Sequence, residues 1–204
     1  MAWTDPRTWA TGELVTASIM NAHVRDNLNY LLQNAGGNGM ELNIQASLPM
    51  LVTGGTTSGA EIQSYGGTPA PQAYQMRMGG TVVSGRCWSF SLPPNYASAP
   101  YLEIGFNTGT ASTAGSTVIF GVQVAAVGNG DTGINTKAFA AAQYGTVTIA
   151  GAAYTKNMGT ISISNTDSMA AKDKLCLYLF RQGTADTNNN DILVTDVNFF
   201  YTAQ

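Results

Sequence analysis

From about residue 70 onward, apolar and polar residues alternate with a period of two, the pattern of half-buried β-strands. Eight such segments are separated by turn-rich stretches, at 74–78, 85–92, 101–107, 117–127, 146–150, 159–164, 175–181 and 191–201. Their lengths favour an antiparallel sandwich of about eight strands over a parallel sheet with crossover helices. Residues 137–143 (KAFAAAQ) are the one candidate for a short helix in a connection of this domain, which spans 70–204.

Before the sandwich, the apolar residues repeat at the spacing of a helix rather than of a strand. In the N-terminal segment, residues 1–40, the pattern predicts one amphipathic helix over 17–34. Thr16 is a good N-cap, Val15 and Met20 occupy the positions of a hydrophobic staple, and Gly36 and Gly37 supply the stop. The helix therefore has well-marked ends and an apolar side that must be buried against something.

The apolar stripe of this helix contains one polar residue, Asn27, and is flanked by Ile19, His23 and Tyr30. Asn27 has two readings: it fixes the register between copies of the helix that meet around an axis, or it hydrogen-bonds to backbone in the protein's own fold. His23, the only histidine, reads as a packing or interface imidazole. The stripe itself consists of Met20, Val24, Leu28 and Leu31.

Residues 41–69 link the helix to the sandwich and are rich in Gly, Thr, Ser and Asn. They contain one short apolar segment, 47–53 (SLPMLVT), in which Pro49 is awkward for a central strand. This stretch is predicted to be an extended connector that contributes one edge strand.

The composition of the chain indicates a surface with few charged residues. Charged residues make up 10% of the chain, whereas soluble domains usually carry roughly a quarter, so neighbouring copies or partner proteins are expected to cover much of it. The net charge is −3 and the basic residues are scattered along the chain, so the sequence shows no basic cluster that would bind nucleic acid. The N-terminus does not resemble a secretory signal, and no apolar run is long enough to cross a membrane. Assembly in a cytoplasm is the expectation.

Candidate chemistry is sparse. Cys87 and Cys176 are predicted to be buried thiols, and a disulfide between them is the alternative. Together with the single histidine they do not form the residue spacing of a zinc-binding motif. Phosphate-loop, dinucleotide-binding and nucleophile-elbow motifs do not occur in the required context. No cofactor is therefore expected.

Two groups of acidic residues remain. Glu103 and Asp196 are the only carboxylates inside strongly patterned strands, and a glycosidase would require two carboxylates across a groove. Residues 186–191 (DTNNND) begin like a calcium loop, but Asp191 stands where such a loop requires glycine and Val197 where it requires glutamate. An Asx-rich hairpin turn is the competing interpretation. Neither group is expected to be an active site or a metal site, and the chain is expected not to be an enzyme.

The stretch TWATGELVTASIMNAHVRDNLNYLL resembles the N-terminal signature of many tailed-phage virion proteins, through Trp9, Gly12, Glu13, Val15, Thr16 and residues 25–28. The later segments LPPNY, FGVQVAAVGNGD, NTDSMAAKDKLCLYLFR, DTNNND and VNFFY resemble a module common in phage and prophage structural proteins. Together they imply a jelly-roll-like domain in a trimeric capsid cement, head-fibre or tail-fibre protein.

The resemblance sets the functional expectation. With no long shaft after the sandwich, a homotrimeric cement or decoration protein that binds the major capsid protein or another virion protein is the first expectation. The alternative is a short fibre that binds host-surface carbohydrate, and the third is a depolymerase. The residues expected at the capsid-binding and oligomerisation interface, with burial in the protein's own core as the alternative, are Trp3, Trp9, Met20, Val24, Asn27, Leu28 and Leu31.

Overall fold

The computed structural model describes residues 11, 12, 14, 16–25 and 27, the backbone of 40–43, 58–59, 61–65 and 73–74, and then residues 75–131 and 136–203. Near the N-terminus a short α-helix, α1 (Ala17–Met20), runs into a π-helical turn (Asn21–Arg25). The predicted end of this helix lies outside the described residues. None of the described helices has the length and apolar character that a membrane span requires.

Eight long strands form the body of the molecule. They are β4 (Ala73–Met78), β5 (Val83–Ser91), β6 (Tyr96–Thr108), β7 (Thr117–Val127), β8 (Gln143–Thr148), β9 (Asn157–Ser162), β10 (Lys174–Gln182) and β11 (Ile192–Ala203). One sheet has the order β4-β11-β6-β9 and the other β5-β10-β7-β8, and all these neighbours are antiparallel. In each sheet the first strand along the chain pairs with the last, which is the topology of a jelly roll. The predicted jelly-roll-like sandwich of about eight strands is confirmed.

The segment predicted as a connector contributes short strands to both sheets. They are β1 (Met40–Asn43), which pairs with β11, β2 (Ser58–Gly59), which pairs in parallel with β5, and β3 (Glu61–Tyr65), which pairs with β4. The sequence had predicted one edge strand. The apolar segment 47–53 lies outside the described residues.

The core lies between the two sheets and follows the alternation of the strands. In β10, Leu175, Leu177 and Leu179 point inward and are fully buried. From the facing sheet, Phe106 meets Phe120 edge to face, with 5.1 Å between ring centroids. Interdigitation of this kind is what gives a sandwich its stability.

Strand β11 carries a bulge that changes which residues face the core. Its pairing with β6 shifts register between Val194 and Asp196. Because one extra residue is inserted, the buried positions change from Ile192 and Val194 to Val197 and Phe199. The bulge thereby turns Asp196 to the outer face of the six-stranded sheet.

The short helix predicted for residues 137–143 is wrong. Residues 137–142 are neither helix nor strand and run beside the end of β7 that extends past its pairing with β8, where the Ala140 amide donates to the Val124 carbonyl at 2.8 Å. Gln123 reinforces this by donating from its side chain to the Ala140 carbonyl at 3.1 Å. The alanine-rich composition favours a helix locally, but pairing with an unsatisfied sheet edge outweighs that preference.

Candidate functional site

The N-terminal helix begins where its capping pattern predicts. The Ile19 amide donates to the Thr16 hydroxyl oxygen at 3.3 Å, and the Met20 amide donates to the Thr16 carbonyl at 3.1 Å. The Thr16 side chain therefore satisfies the orphan Ile19 amide, and its carbonyl accepts the first helical hydrogen bond. Of the residues predicted at the interface, the structure describes Met20, Val24 and Asn27.

The two described residues of the apolar stripe, Met20 and Val24, are 44% and 38% exposed in the single chain. Leu14, which precedes the N-cap, is 81% exposed. Asn27, in contrast, is buried, on the side that also carries the half-buried His23. The π-helical turn explains this arrangement, because hydrogen bonds from i to i+5 break the spacing that would keep Met20, Val24 and Asn27 on one line. Trp3, Trp9, Leu28 and Leu31 lie outside the described residues.

A buried ion pair organises the loop that joins β10 to β11. Arg181 occupies an inward position at the end of β10, and both its side chain and that of Asp186 are 0% exposed. The guanidinium donates to both oxygens of Asp186, from Nε at 2.7 Å and from Nη2 at 3.2 Å. Bidentate geometry of this kind is the strongest form of an arginine–carboxylate contact.

The remaining donors of Arg181 bind backbone carbonyls. Nη1 donates to the carbonyls of Asn190 at 2.7 Å and Met78 at 3.4 Å, and Nη2 donates to the carbonyl of Asn188. All five N–H groups of the guanidinium thus have acceptors. The loop's oxygens converge on a side-chain cation, which leaves Asp186 unavailable to a metal ion.

The loop 186–191 is therefore an Asx-type turn rather than a calcium loop. The Asn190 amide donates to the side-chain oxygen of Asn188 at 3.4 Å, and Asn188 returns a bond from its amide nitrogen to the Asn190 carbonyl at 3.1 Å. In the described part of the chain, no group of three or more His, Cys, Asp and Glu side chains is placed to hold a metal ion.

A polar groove lies beside this loop. It has a volume of about 340 Å³ and is lined by Arg77, Gly109, Thr110, Asn189, Asn190, Asp191 and Leu193. One wall is the loop after β6 and the other is the loop before β11. The side-chain nitrogen of Asn190 joins the walls, because it donates to the Ala111 carbonyl at 2.9 Å and contacts the Ser112 hydroxyl at 3.0 Å.

The charges in the groove neutralise each other. Arg77 donates from Nε to Asp191 at 2.7 Å, and the Gly80 amide donates to the other oxygen of the same carboxylate at 3.0 Å. The exposed side chains of Thr110 and Asn189 add hydrogen-bonding groups without charge. The groove therefore suits a neutral, hydroxylated ligand better than an anion or a metal ion. Sequence reasoning missed it because its residues come from three separated segments and form no motif.

Glu103 and Asp196 lie on the same outer face of the six-stranded sheet. Asp196 is opposite Gly105 and Glu103 is opposite Asn198, so the two carboxylates are diagonal neighbours on adjacent strands, and neither lines the groove. Diagonal positions of this kind are about 7–8 Å apart.

Asp196 is held in its charged form. Lys156 Nζ lies 3.0 Å from Asp196 Oδ2, and the Thr195 hydroxyl donates to the same oxygen at 2.8 Å. Partial burial alone would raise the pKa of Asp196, but the bonds from Lys156 and Thr195 and the lysine charge outweigh it, so the pKa lies below its ordinary 3.8. A glycosidase acid requires a raised pKa, so this carboxyl does not fit that role.

The two cysteines are free thiols on neighbouring strands of the five-stranded sheet. They are not cross-linked, because Cys176 lies opposite Ser89 and Cys87 opposite Tyr178. Burial, together with the nearby Cys176, raises the pKa of Cys87 to about 12, although a backbone hydrogen bond opposes the shift. Cys87 is therefore a packing residue and a poor nucleophile at neutral pH.

The comparisons with known proteins concern the fold of this chain and do not assign its function. No protein-family model and no curated protein matches the chain. Among solved structures, the xylan-binding module CBM15 is 15% identical with a TM-score of 0.45, and the match covers 82% of this chain and 99% of the module. The module CsCBM6-3 from Clostridium stercorarium, solved in complex with cellobiose, is 12% identical with a TM-score of 0.38, over 80% of this chain and 94% of the module. CBM35 from Cellvibrio japonicus Abf62 is 13% identical with a TM-score of 0.38, over 81% and 98%.

These neighbours are carbohydrate-binding jelly rolls. At such identities and TM-scores the likeness assigns no ligand to this chain. None of the matches described above links the chain to phage virions, so that expectation rests on the sequence resemblance.

Proposed function

We propose that this chain is a non-catalytic structural protein of a tailed-phage virion, a homotrimer that decorates and stabilises the capsid through its N-terminal segment. The observation that carries the proposal is the exposure of three apolar side chains around the N-terminal helix. Met20 ends the capped α-helix, Val24 lies in the π-helical turn that follows it, and Leu14 precedes the N-cap; they are 44%, 38% and 81% exposed in the single chain. The segment around them is the part of the sequence that resembles phage virion proteins.

Exposure of these side chains is costly for an isolated chain. Full burial of a valine, leucine or methionine side chain is worth about 1.5–3 kcal/mol. Copies of this N-terminal segment meeting around an axis would bury all three side chains in each copy. Only 10% of the residues in the chain are charged. This low fraction supports the idea that other copies or other virion proteins cover much of the surface.

Light scattering of the full chain in solution tests the oligomeric part of the proposal. We expect the mass of three chains for the wild type and of one chain for the variant with Leu14→Ser, Met20→Ser and Val24→Ser. A matched control replaces Ser18 and Asn21 with alanine on the exposed polar side of the same helix, and should remain a trimer. A monomeric wild type, or a serine variant that remains trimeric, would contradict this role for the three side chains.

Co-sedimentation tests the virion part. We expect the wild-type chain to pellet with capsids and not with tails separated from the same particles. Binding to tails alone would reject the decoration role in favour of a fibre.

The groove favours a second candidate function, the binding of a neutral saccharide on a host surface. Its Arg77–Asp191 pair offers donors and acceptors with no net charge, and the exposed Asn189 adds an amide. We expect a glycan array to identify a saccharide that the wild type binds. The affinity of the Asn189→Ala variant for that saccharide should be at least tenfold lower. Asn129→Ala, an exposed asparagine in the turn after β7, is the matched control. An array without a ligand, or equal loss in both variants, would reject this function.

A further inference from the structure

The floor of the groove belongs to the outer face of the six-stranded sheet. Leu193 lines the groove and points outward from β11, because its neighbours Ile192 and Val194 point into the core. The residues opposite Leu193 on the adjacent strands are Arg77 on β4 and Asn107 on β6. Opposed residues on paired strands point to the same face, with Cβ atoms about 4.5–5.5 Å apart. Arg77, Leu193 and Asn107 therefore form one row across the sheet.

Asn107 lies at a corner of the groove. Leu193 on the next strand forms the floor, and Gly109, two residues further along the chain and about 7 Å away, begins the wall made by the loop after β6. Asn107 is 9% exposed, so it lies just beneath the groove surface. The terminal torsion of an asparagine side chain is broad, so the carboxamide can turn toward the groove at little cost.

The side-chain oxygen of Asn107 is a buried acceptor without a partner. It is shielded from solvent, and none of the described residues donates a hydrogen bond to it. Buried polar side chains nearly always have a hydrogen-bond partner, because an unpaired buried acceptor costs free energy. A valine would suit this strand position better on grounds of stability. A role in the groove explains the asparagine better than packing does.

The charged acceptor of the groove is already occupied, whereas the neutral acceptors are not. Both oxygens of Asp191 accept bonds, one from Arg77 and the other from the Gly80 amide. Gln75 precedes Arg77 by two residues on the same face of β4 and repeats the situation of Asn107: it is 9% exposed, and its side-chain oxygen receives no bond from the described part of the chain. Neutral amide oxygens select a ligand that donates hydrogen bonds, such as one with hydroxyl groups.

We propose that Asn107 is a specificity-determining residue of the groove, and that its carboxamide oxygen accepts a hydrogen bond from a hydroxyl group of a bound saccharide. This inference rests on the proposed binding of a neutral saccharide and names the group that recognises the sugar. A site built to hydrogen-bond a hydroxyl group discriminates against the analogue that lacks it, because the acceptor then stays buried and unpaired.

An array of neutral hexose and N-acetylhexosamine oligosaccharides, printed with their monodeoxy derivatives, tests the inference on the full chain. We expect the wild type to bind at least one parent oligosaccharide, and to bind one of its monodeoxy derivatives at least tenfold more weakly. Asn107→Val should bind the parent at least tenfold more weakly than the wild type does, and should distinguish it from that derivative less than threefold.

Asn198→Val is the matched control. The side-chain oxygen of Asn198 is also buried and receives no bond from a described residue, and the side chain points to the same face of the sheet. It lies five residues from Leu193, about 16 Å along β11, and so is remote from the groove. Its replacement should leave the affinity for the parent oligosaccharide within threefold of the wild type.

Thermal unfolding gives a readout that needs no saccharide. Asn107→Val should have a Tm equal to or above that of the wild type, because the substitution removes a buried acceptor that has no partner. Asn107→Ala removes the carboxamide without adding volume, and it should show the same Tm behaviour and the same loss of discrimination if valine is too large for the site. A lower Tm in both variants would make Asn107 a structural residue and overturn the inference.

The possible outcomes separate this inference from the proposed function. If Asn189→Ala weakens saccharide binding while Asn107→Val binds like the wild type, the groove binds saccharide and the role assigned to Asn107 is wrong. Equal loss in Asn107→Val and Asn198→Val would also overturn the inference, because the effect would not depend on the groove. An array on which the wild type binds no oligosaccharide would reject the saccharide function and this inference together, and would leave the capsid role in place.

Discussion

Replacing Arg181 with alanine should destabilise the protein severely. The guanidinium is fully buried, and its removal leaves the Asp186 carboxylate uncompensated in the interior. The same change removes the donors to the carbonyls of Asn188, Asn190 and Met78. The loop 186–191 would therefore lose the group on which its oxygens converge.

The magnitude follows from the burial of the pair. Removing one partner of a buried, hydrogen-bonded ion pair costs about 3–5 kcal/mol. For a domain of this size, that loss corresponds to a decrease in Tm of roughly 10 °C. Replacing both partners by apolar residues, Arg181→Met with Asp186→Leu, should cost less than Arg181→Ala alone, because no uncompensated charge remains.

Urea titration measures the free energy of unfolding, and calorimetry measures Tm. Arg77→Ala is the matched control. Arg77 also pairs with an aspartate, at 2.5 Å, but the two side chains are 44% and 37% exposed. An exposed pair is worth about 0–1 kcal/mol. If Arg181→Ala lost less than 1 kcal/mol, or no more than Arg77→Ala, the organising role assigned to the buried pair would be refuted.

Two substitutions and one labelling experiment test other parts of the structure. Gly80→Ala should cost about 1–3 kcal/mol in urea unfolding, because a Cβ atom there would lie 2.0 Å from the Asn189 carbonyl oxygen. Asp196→Asn should flatten the decrease in Tm between pH 6 and about pH 3, because the lowered pKa of Asp196 stabilises the fold at neutral pH and that contribution is lost on acidification. Ellman's reagent at about pH 8 should label Cys87 only after unfolding, because its pKa is about 12.

Each of these predictions has a contradicting result. A Gly80→Ala variant as stable as the wild type would show that the loops can separate without cost. An unchanged pH profile in Asp196→Asn would mean that the bond to Lys156 is not formed in solution. Rapid labelling of Cys87 in the native Cys176→Ser variant would mean that the thiol is accessible.

The sandwich could be predicted because its strands are amphipathic over their full length. In β7 the pattern gives the observed limits, Thr117–Val127, since both ends are marked by turn residues. In β11 the alternation changes phase at the bulge, so the sequence located the strand but not the outward turn of Asp196. A phase change within an alternating segment is a local signal that could have predicted it.

The organising arginine also had a signal in the sequence. Leu175, Leu177, Leu179 and Arg181 occupy the same side of β10, so strict alternation places the arginine inside. A buried arginine requires an acidic partner, and Asp186 follows five residues later in the loop. The groove had no such signal, because pairing between distant strands brings its walls together.

Segment 137–143 was misread because its composition describes only the isolated peptide. Alanine favours a helix when nothing else competes, whereas here the end of β7 that extends past β8 offers the Val124 carbonyl to the Ala140 amide. The predicted stripe of the N-terminal helix assumed α-helical spacing throughout, and the π-helical turn places Asn27 on the buried side while Val24 faces solvent.

Cryo-electron microscopy of purified particles tests the central claim most directly. We expect jelly-roll density in groups of three on the outer surface of the capsid, with the N-terminal segment against the shell. Particles whose heads lack this density, while the chain is absent from the virion or confined to the tail, would contradict it.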